Sequence, residues 1–288
     1  MKKISILLCL ALMTGLSACS KKAEGEGQVI ESENAEKEVV QEVIKPAVNP
    51  EIEKLNNVLM SMTDRCKAAI PNGDPEEFLA DLKVVLDAEK NHPQDEDSLY
   101  ILVDKQHNIG ERNPVHIVKL VENDAYVINK KTLSLRADAE ASLREMALAA
   151  KADGVTLTVS STYRSYQQQV NTFNYWVEVD GLEEAERESA RAGTSQHQLG
   201  TVIDFGSIDD TYAETAECKW LNENAADYGW SLSFPMGYED VTGYKWESWH
   251  WRYIGREACA FQKKWFSDIQ QFMLEFIHGW KNYDEVQA

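Results

Sequence analysis

From Ser20 to Pro50 the chain carries no aromatic residue, seven Glu and four Lys, and it closes on Pro46 and Pro50. A stretch so poor in large apolar groups cannot bury enough surface to offset the entropy of ordering it. It reads as a solvated tether, spanning residues 19–50 in the expected mature chain. Whatever folds must therefore fold within residues 51–288. That is length enough for one or two domains with a sizeable core. Eight Trp, eleven Tyr and eight Phe provide the bulk to fill it.

Ahead of the tether, Met1-Lys2-Lys3 is basic and Ile4 to Gly15 is mostly apolar and uncharged. Twelve residues fall short of the roughly 20 that a membrane-spanning helix needs. Residues 1–18 therefore predict an export signal. Leu16-Ser17-Ala18-Cys19 resembles the bacterial lipobox, in which cleavage precedes the Cys and its thiol is acylated. The expected product is lipid-anchored through Cys19 to a bacterial membrane, facing the cell wall or periplasm, and touches that membrane through the anchor only. An ordinary secretory signal cut near the same point is the alternative.

Lys plus Arg number 29 against 48 Asp plus Glu, a formal charge of −19. Loss of Lys2 and Lys3 with the signal makes it −21. No basic face is available for a nucleic-acid backbone, so no nucleic-acid partner is expected. Beyond the signal and Cys19, three cysteines remain: Cys66, Cys218 and Cys259. A Cys218–Cys259 disulfide and three buried thiols are both open, and the absence of a CxxC pair argues against a cysteine zinc ribbon.

Residues 51–95 predict a helical extension. Ile52, Leu55, Val58, Leu59 and Met62 recur at helical spacing, as do Phe78, Leu79, Leu82, Val85 and Leu86. Asp74-Pro75-Glu76-Glu77 reads as a capped helix start. From residue 96 onward helices and strands mix. Leu99–Val103, Val155–Val159, Thr201–Phe205, 230–234 and 249–254 read as strands. Arg136–Lys151, Ser165–Val179, Leu182–Ala192, Cys218–Tyr228 and a long closing segment, Arg256–Trp280, read as helices. Asp153-Gly154 stops the first of these. Without a regular βαβ alternation, the pattern predicts an α+β fold.

Three stretches concentrate polar groups beside strands: Ser161–Gln169, Ser195–Asp204 and Glu247–Tyr253. His197, Asp204 and His250 offer two imidazoles and one carboxylate, a set that suits zinc and leaves one tetrahedral position for water. Spacing alone equally permits core histidines and a strand-end acid. Glu247 lies three residues before His250. A regular strand would put the two on opposite faces, so a role for Glu247 beside His250 needs an irregular turn near Ser248.

Taken together the stretches resemble the zinc D-alanyl-D-alanine carboxypeptidase family of peptidoglycan peptidases. Its S-x-x-R-S-x-x-x-Q pattern is met by Ser161, Arg164, Ser165 and Gln169. Its S-x-H-x-x-G-x-A-x-D pattern is met by Ser195, His197, Gly200 and Asp204, and E-x-W-H by Glu247, Trp249 and His250. The likeness runs over roughly residues 99–260. Val202 stands where the family has Ala, and Ser248 where Pro is frequent.

The resemblance implies a small antiparallel sheet bearing one zinc ion, flanked by helices, in a domain spanning residues 96–288. It implies zinc held by His197, Asp204 and His250, with Glu247 as general base and Arg164 stabilising developing charge. Ser195, Gln169 and Ser165 would contact substrate. The implied partners are peptidoglycan stem peptides, and the implied reaction is removal of the terminal D-alanine. L,D-carboxypeptidase, D-Ala-D-Ala dipeptidase and endopeptidase activities on the same scaffold are the alternatives, with a non-catalytic wall-binding lipoprotein further off. The charged stretch 180–192 is expected to form a flap over the cleft.

Overall fold

The structure, a computed structural model, describes residues 49–90, 98–114 and 116–283. The expected export signal, Cys19 and nearly all of the tether lie outside the described residues.

Three helices open the fold: α1 (Pro50–Ser61), α2 (Asp64–Ala69) and α3 (Pro75–Glu89). Asp74 caps α3, its carboxylate accepting from the Glu76 N–H at 3.0 Å, which satisfies a backbone donor that has no partner within the helix. The periodic apolar positions Leu55, Val58, Phe78, Leu82 and Val85 are buried. They share one core with the C-terminal helices α9 (Arg256–Trp265) and α10 (Gln270–Lys281). Phe78 lies with its ring centroid 5.0–6.0 Å from Phe261, Trp265, Phe266 and Phe276, inside the range of favourable aromatic pairing.

The closing segment is thus two helices, not the single one expected over Arg256–Trp280. Ser267 and Asp268 adopt left-handed backbone angles (φ 51° and 62°) between them. Gln262 Nε2 donates to the carbonyl and carboxylate oxygens of Asp268 at 3.1 and 2.9 Å, closing the break. The apolar period ran through this point because each piece buries an aromatic face of its own.

The catalytic-type motifs lie on a five-stranded sheet of order β2 (Val127–Ile128), β4 (Thr158–Ser161), β5 (Val202–Phe205), β7 (His250–Tyr253), β6 (Trp230–Leu232). All pairings are antiparallel except the edge pair β2–β4, which is parallel, so the sheet is mixed at one edge. A separate antiparallel ribbon joins β1 (Ile117–Lys119) to β3 (Ser134–Arg136). The fold class is α+β.

Strand alternation divides the sheet's faces. Ile203, Phe205, Trp230 and Trp251 pack in a second core with Leu143, Met146 and Ala147 of α4 (Ala137–Ala152). Past α4, Gly154 takes the expected left-handed conformation (φ 82°). Asp204 and His250, out of step with Ile203 and Trp251, belong to the other face.

Leu99–Val103, expected as a strand, is irregular. Its carbonyls are met instead by a buried guanidinium: Arg252 Nη2 donates to Leu99 O at 2.8 Å and to Ile101 O at 2.9 Å. The strand expected at 155–159 forms at Thr158–Ser161, because Val155 N–H still bonds back to Ala150 O (2.8 Å) at the end of α4. The helix expected over Leu182–Ala192 stops at Glu188 (α6, Leu182–Glu188), and that over Cys218–Tyr228 is α7 (Ala216–Asn224) followed by a 3₁₀ turn. Cys66, Cys218 and Cys259 are free, buried thiols; Cys218 and Cys259 sit in different cores and do not pair. Among the described residues no helix is long and apolar enough to cross a membrane.

Candidate metal centre and its cavity

Register brings the first two donors together. Asp204 of β5 lies directly opposite His250 of β7. His197 arrives from a 3₁₀ turn, Gln196–Leu199, that ends at Gly200 in a left-handed conformation (φ 70°) and feeds straight into β5. A Cβ at Gly200 would stand 2.6 Å from Ile117 Cδ1, so both the angle and the space require glycine. The result is a buried cluster in which one donor atom from each of His197, Asp204 and His250 lies within 4.8 Å of the others.

Each imidazole is oriented by its outward nitrogen. His197 Nδ1 sits 2.7 Å from the Thr162 carbonyl, which accepts only, so Nδ1 carries the proton. The bare Nε2 is 3.2 Å from Asp204 Oδ2. His250 is turned the other way. Its Nδ1 lies 3.1 Å from Asp204 Oδ1 and 3.3 Å from Glu247 Oε2, while Nε2 is 3.2 Å from Gln196 Oε1. The irregular turn that Glu247 requires is present: Ser248 and Trp249 form it, and His250 N–H bonds back to Glu247 O at 3.3 Å.

The electrostatics suit a cation. Asp204 Oδ1 is buried and has no hydrogen-bond partner in the described structure. Burial alone would raise the Asp204 pKa, but His197 and His250 outweigh it and hold the carboxyl well below its usual range. Burial, helped by Arg164, depresses His197 to about 4, leaving it neutral and ready to ligate. His250 goes the other way: burial is overcome by Asp204 and Glu247, and its pKa rises to about 9. A proton thus resides where two carboxylates converge. Burial raises Glu247, as a proton acceptor working near neutral pH requires. Two neutral-capable imidazoles, one ionised carboxylate and an orphaned carboxylate oxygen fit zinc.

These groups lie in the wall of a cavity of about 820 Å³. Arg164, Gln169 and Ser195 also line it; Ser165 does not. Ser165 caps α5 (Tyr166–Asp180) in a reciprocal box with Gln168, at 3.3 and 2.8 Å. Gln169 is buried and donates to Ala190 O at 2.6 Å, with its Oε1 left unpaired. Burial lowers the Arg164 pKa, opposed by Asp204 and Glu247, and its Nε has no hydrogen-bond partner. Val202, the departure from the family pattern, is buried outside the cavity lining and does not narrow it.

The stretch expected to form a flap is pinned. Arg187 makes two bonds to Glu239 at 2.6 and 3.0 Å, Lys245 pairs with Glu188, and Lys105 Nζ donates to Glu186 O at 2.6 Å. Glu188, Ser189 and Ala190 form part of the cavity wall. Sequence reasoning missed Thr162 and Gln196, which orient the two imidazoles. Gln196 adjoins a ligand, and a buried amide beside a histidine was the available signal.

Residues 132–256 match the D-alanyl-D-alanine carboxypeptidase (VanY) family. It is 32% identical over 173 residues to a putative carboxypeptidase, YodJ, of Bacillus subtilis, covering 58% of this chain and 63% of that one. In structure it is similar to the LdcB LD-carboxypeptidase (TM-score 0.55, 29% identity, 64% of this chain and 88% of that one). It is also similar to a vancomycin-resistance D,D-pentapeptidase, VanY, solved in complex with Zn(II) (TM-score 0.51, 27% identity, 61% and 98%). The chain spans less than two thirds of the length of the curated relatives it matches first.

Proposed function

We propose that the protein is a zinc-dependent carboxypeptidase that removes the C-terminal D-alanine of peptidoglycan stem peptides, working outside the cytoplasm from a lipid anchor at Cys19. The observation that carries this reading is the buried Asp204 carboxylate set between two histidines, Oδ2 3.2 Å from His197 Nε2 and Oδ1 3.1 Å from His250 Nδ1. His197, Asp204 and His250 would hold the zinc. When bound, the metal supplies Lewis-acid polarisation of a carbonyl and an acidified water.

The chain's own groups do the rest. Glu247, buried and raised in pKa, accepts the proton of the attacking water and delivers it to the leaving amine. Arg164, with a free donor in the cavity, stabilises negative charge developing on the scissile carbonyl oxygen or holds the terminal carboxylate. Ser195 and the unpaired Oε1 of Gln169 offer further contacts to the peptide backbone. Ser165 serves as a helix cap rather than a substrate contact.

A second reading, L,D-carboxypeptidase, is favoured by the likeness to LdcB. The deciding experiment incubates the purified protein with defined pentapeptide, tetrapeptide and free D-Ala-D-Ala, with and without a chelator, and weighs the products. Loss of one alanine from pentapeptide alone is expected. Tetrapeptide trimming would substitute the second reading. Chelator-insensitive turnover would remove both, and wall-fragment binding without any turnover would leave a non-catalytic lipoprotein.

A further inference from the structure

His197 takes its orientation from a backbone carbonyl, but His250 takes its orientation from a side chain. Gln196 Oε1 receives His250 Nε2 at 3.2 Å and the Ser233 hydroxyl at 2.7 Å, so both of its lone pairs are engaged. Ser233 is set by main chain: its N–H donates to the His250 carbonyl at 3.2 Å. Its one hydroxyl proton is used on Gln196, so Oε1 of Gln270, the first residue of α10, lies 3.2 Å from Oγ without a hydrogen bond of its own. Gln270 Nε2 donates to Ser231 O at 3.2 Å, and Gln262 of α9 donates to Ser231 Oγ at 2.9 Å. Gln196, Ser231, Ser233, Gln262 and Gln270 are all buried. Gln262 and Gln270 lie beyond residue 256, where the family match ends.

An acceptor with both lone pairs occupied can receive His250 Nε2 only as a donor. The proton therefore stays on Nε2 of the neutral ring, and Nδ1 is left to face Asp204. We propose that Gln196 is the positioning residue of His250, braced by Ser233, so that metal affinity at the cavity depends on a side chain that does not itself hold the metal. This rests on the zinc reading above. One short turn then provides both a ligand, His197, and the clamp on the opposite ligand.

The test measures zinc affinity by chelator competition, and the hydrogen bond of the His250 Nε2–H by its ¹H shift and solvent-exchange rate in the zinc-loaded protein. Gln196→Met keeps the volume and removes the acceptor; it should weaken zinc about 10- to 100-fold, and the His250 Nε2–H should lose its hydrogen-bonded shift and exchange faster. Gln196→Glu, which retains an acceptor oxygen, should restore that shift. If Gln196→Met fails to fold, Ser233→Ala provides the same readout with a smaller change. Wild-type zinc affinity together with an unchanged shift and exchange rate of the His250 Nε2–H in Gln196→Met, or in Ser233→Ala if that variant is needed, would overturn the positioning role while leaving the zinc reading intact. A wild type that binds no zinc would overturn both.

Discussion

Glu247 and His250 lie within 3.3 Å of each other with both pKa values raised, Glu247 by burial and His250 by the carboxylates beside it. Replacing Glu247 by Gln removes the proton acceptor without touching a ligand. Turnover should fall about 10²- to 10⁴-fold, with zinc content unchanged; a fully active variant would refute the assignment. The pH dependence of metal binding follows from the same groups. Below about 9 the metal-free His250 holds a proton that binding must displace, while His197, depressed to about 4, and Asp204, held lower still, have none to give up at neutral pH. Apparent affinity should therefore rise about tenfold per pH unit and level off near 9. Calorimetry in buffers of differing ionisation enthalpy should find about one proton released at pH 7, and none would contradict it.

Away from the centre, burial raises Glu217 to about 7 despite the Thr158 N–H it accepts at 2.7 Å. A folded-state pKa above the unfolded one favours the native state at low pH, and that advantage is lost as pH rises through about 7. Glu217→Gln should therefore stabilise the protein at pH 8 by about 2 kcal/mol and have little effect at pH 4. Equal effects at the two pH values in denaturant titrations would rule this out.

At the scale of elements, a 3₁₀ turn and two strand ends carry the site. Gly200→Ala forces a left-handed conformation on a residue with a Cβ and drives it into Ile117. About 1–3 kcal/mol of stability should be lost, read as a lowered Tm, together with weaker zinc binding, because His197 is three residues upstream. The strands around Asp204 and His250 were legible from alternation and the motif order. The break at Ser267–Asp268 was not, since both flanking pieces keep the same helical period. Nor was the fate of Leu99–Val103, an apolar run whose carbonyls found Arg252, distant in sequence, rather than a strand.

At the scale of the whole molecule, Leu55 and Val58 of α1 and Phe78, Leu82 and Val85 of α3 complete the core that α9 and α10 close. Removing residues 50–90 would expose Phe261, Phe266, Phe272 and Phe276, each a large apolar group at roughly 25 cal/mol per Å². The shortened protein should be insoluble or should unfold well below the parent; equal thermal stability would show the helices to be dispensable. Residue types and their order along the chain were enough to indicate an α+β chain and the three donors, His197, Asp204 and His250, that the fold brings together, because ligand chemistry and apolar period are local properties. Which nitrogen each histidine presents, which glutamine holds it, and how the two ends of the chain share one core depended on contacts between residues far apart in sequence, and those arise only when the chain is packed.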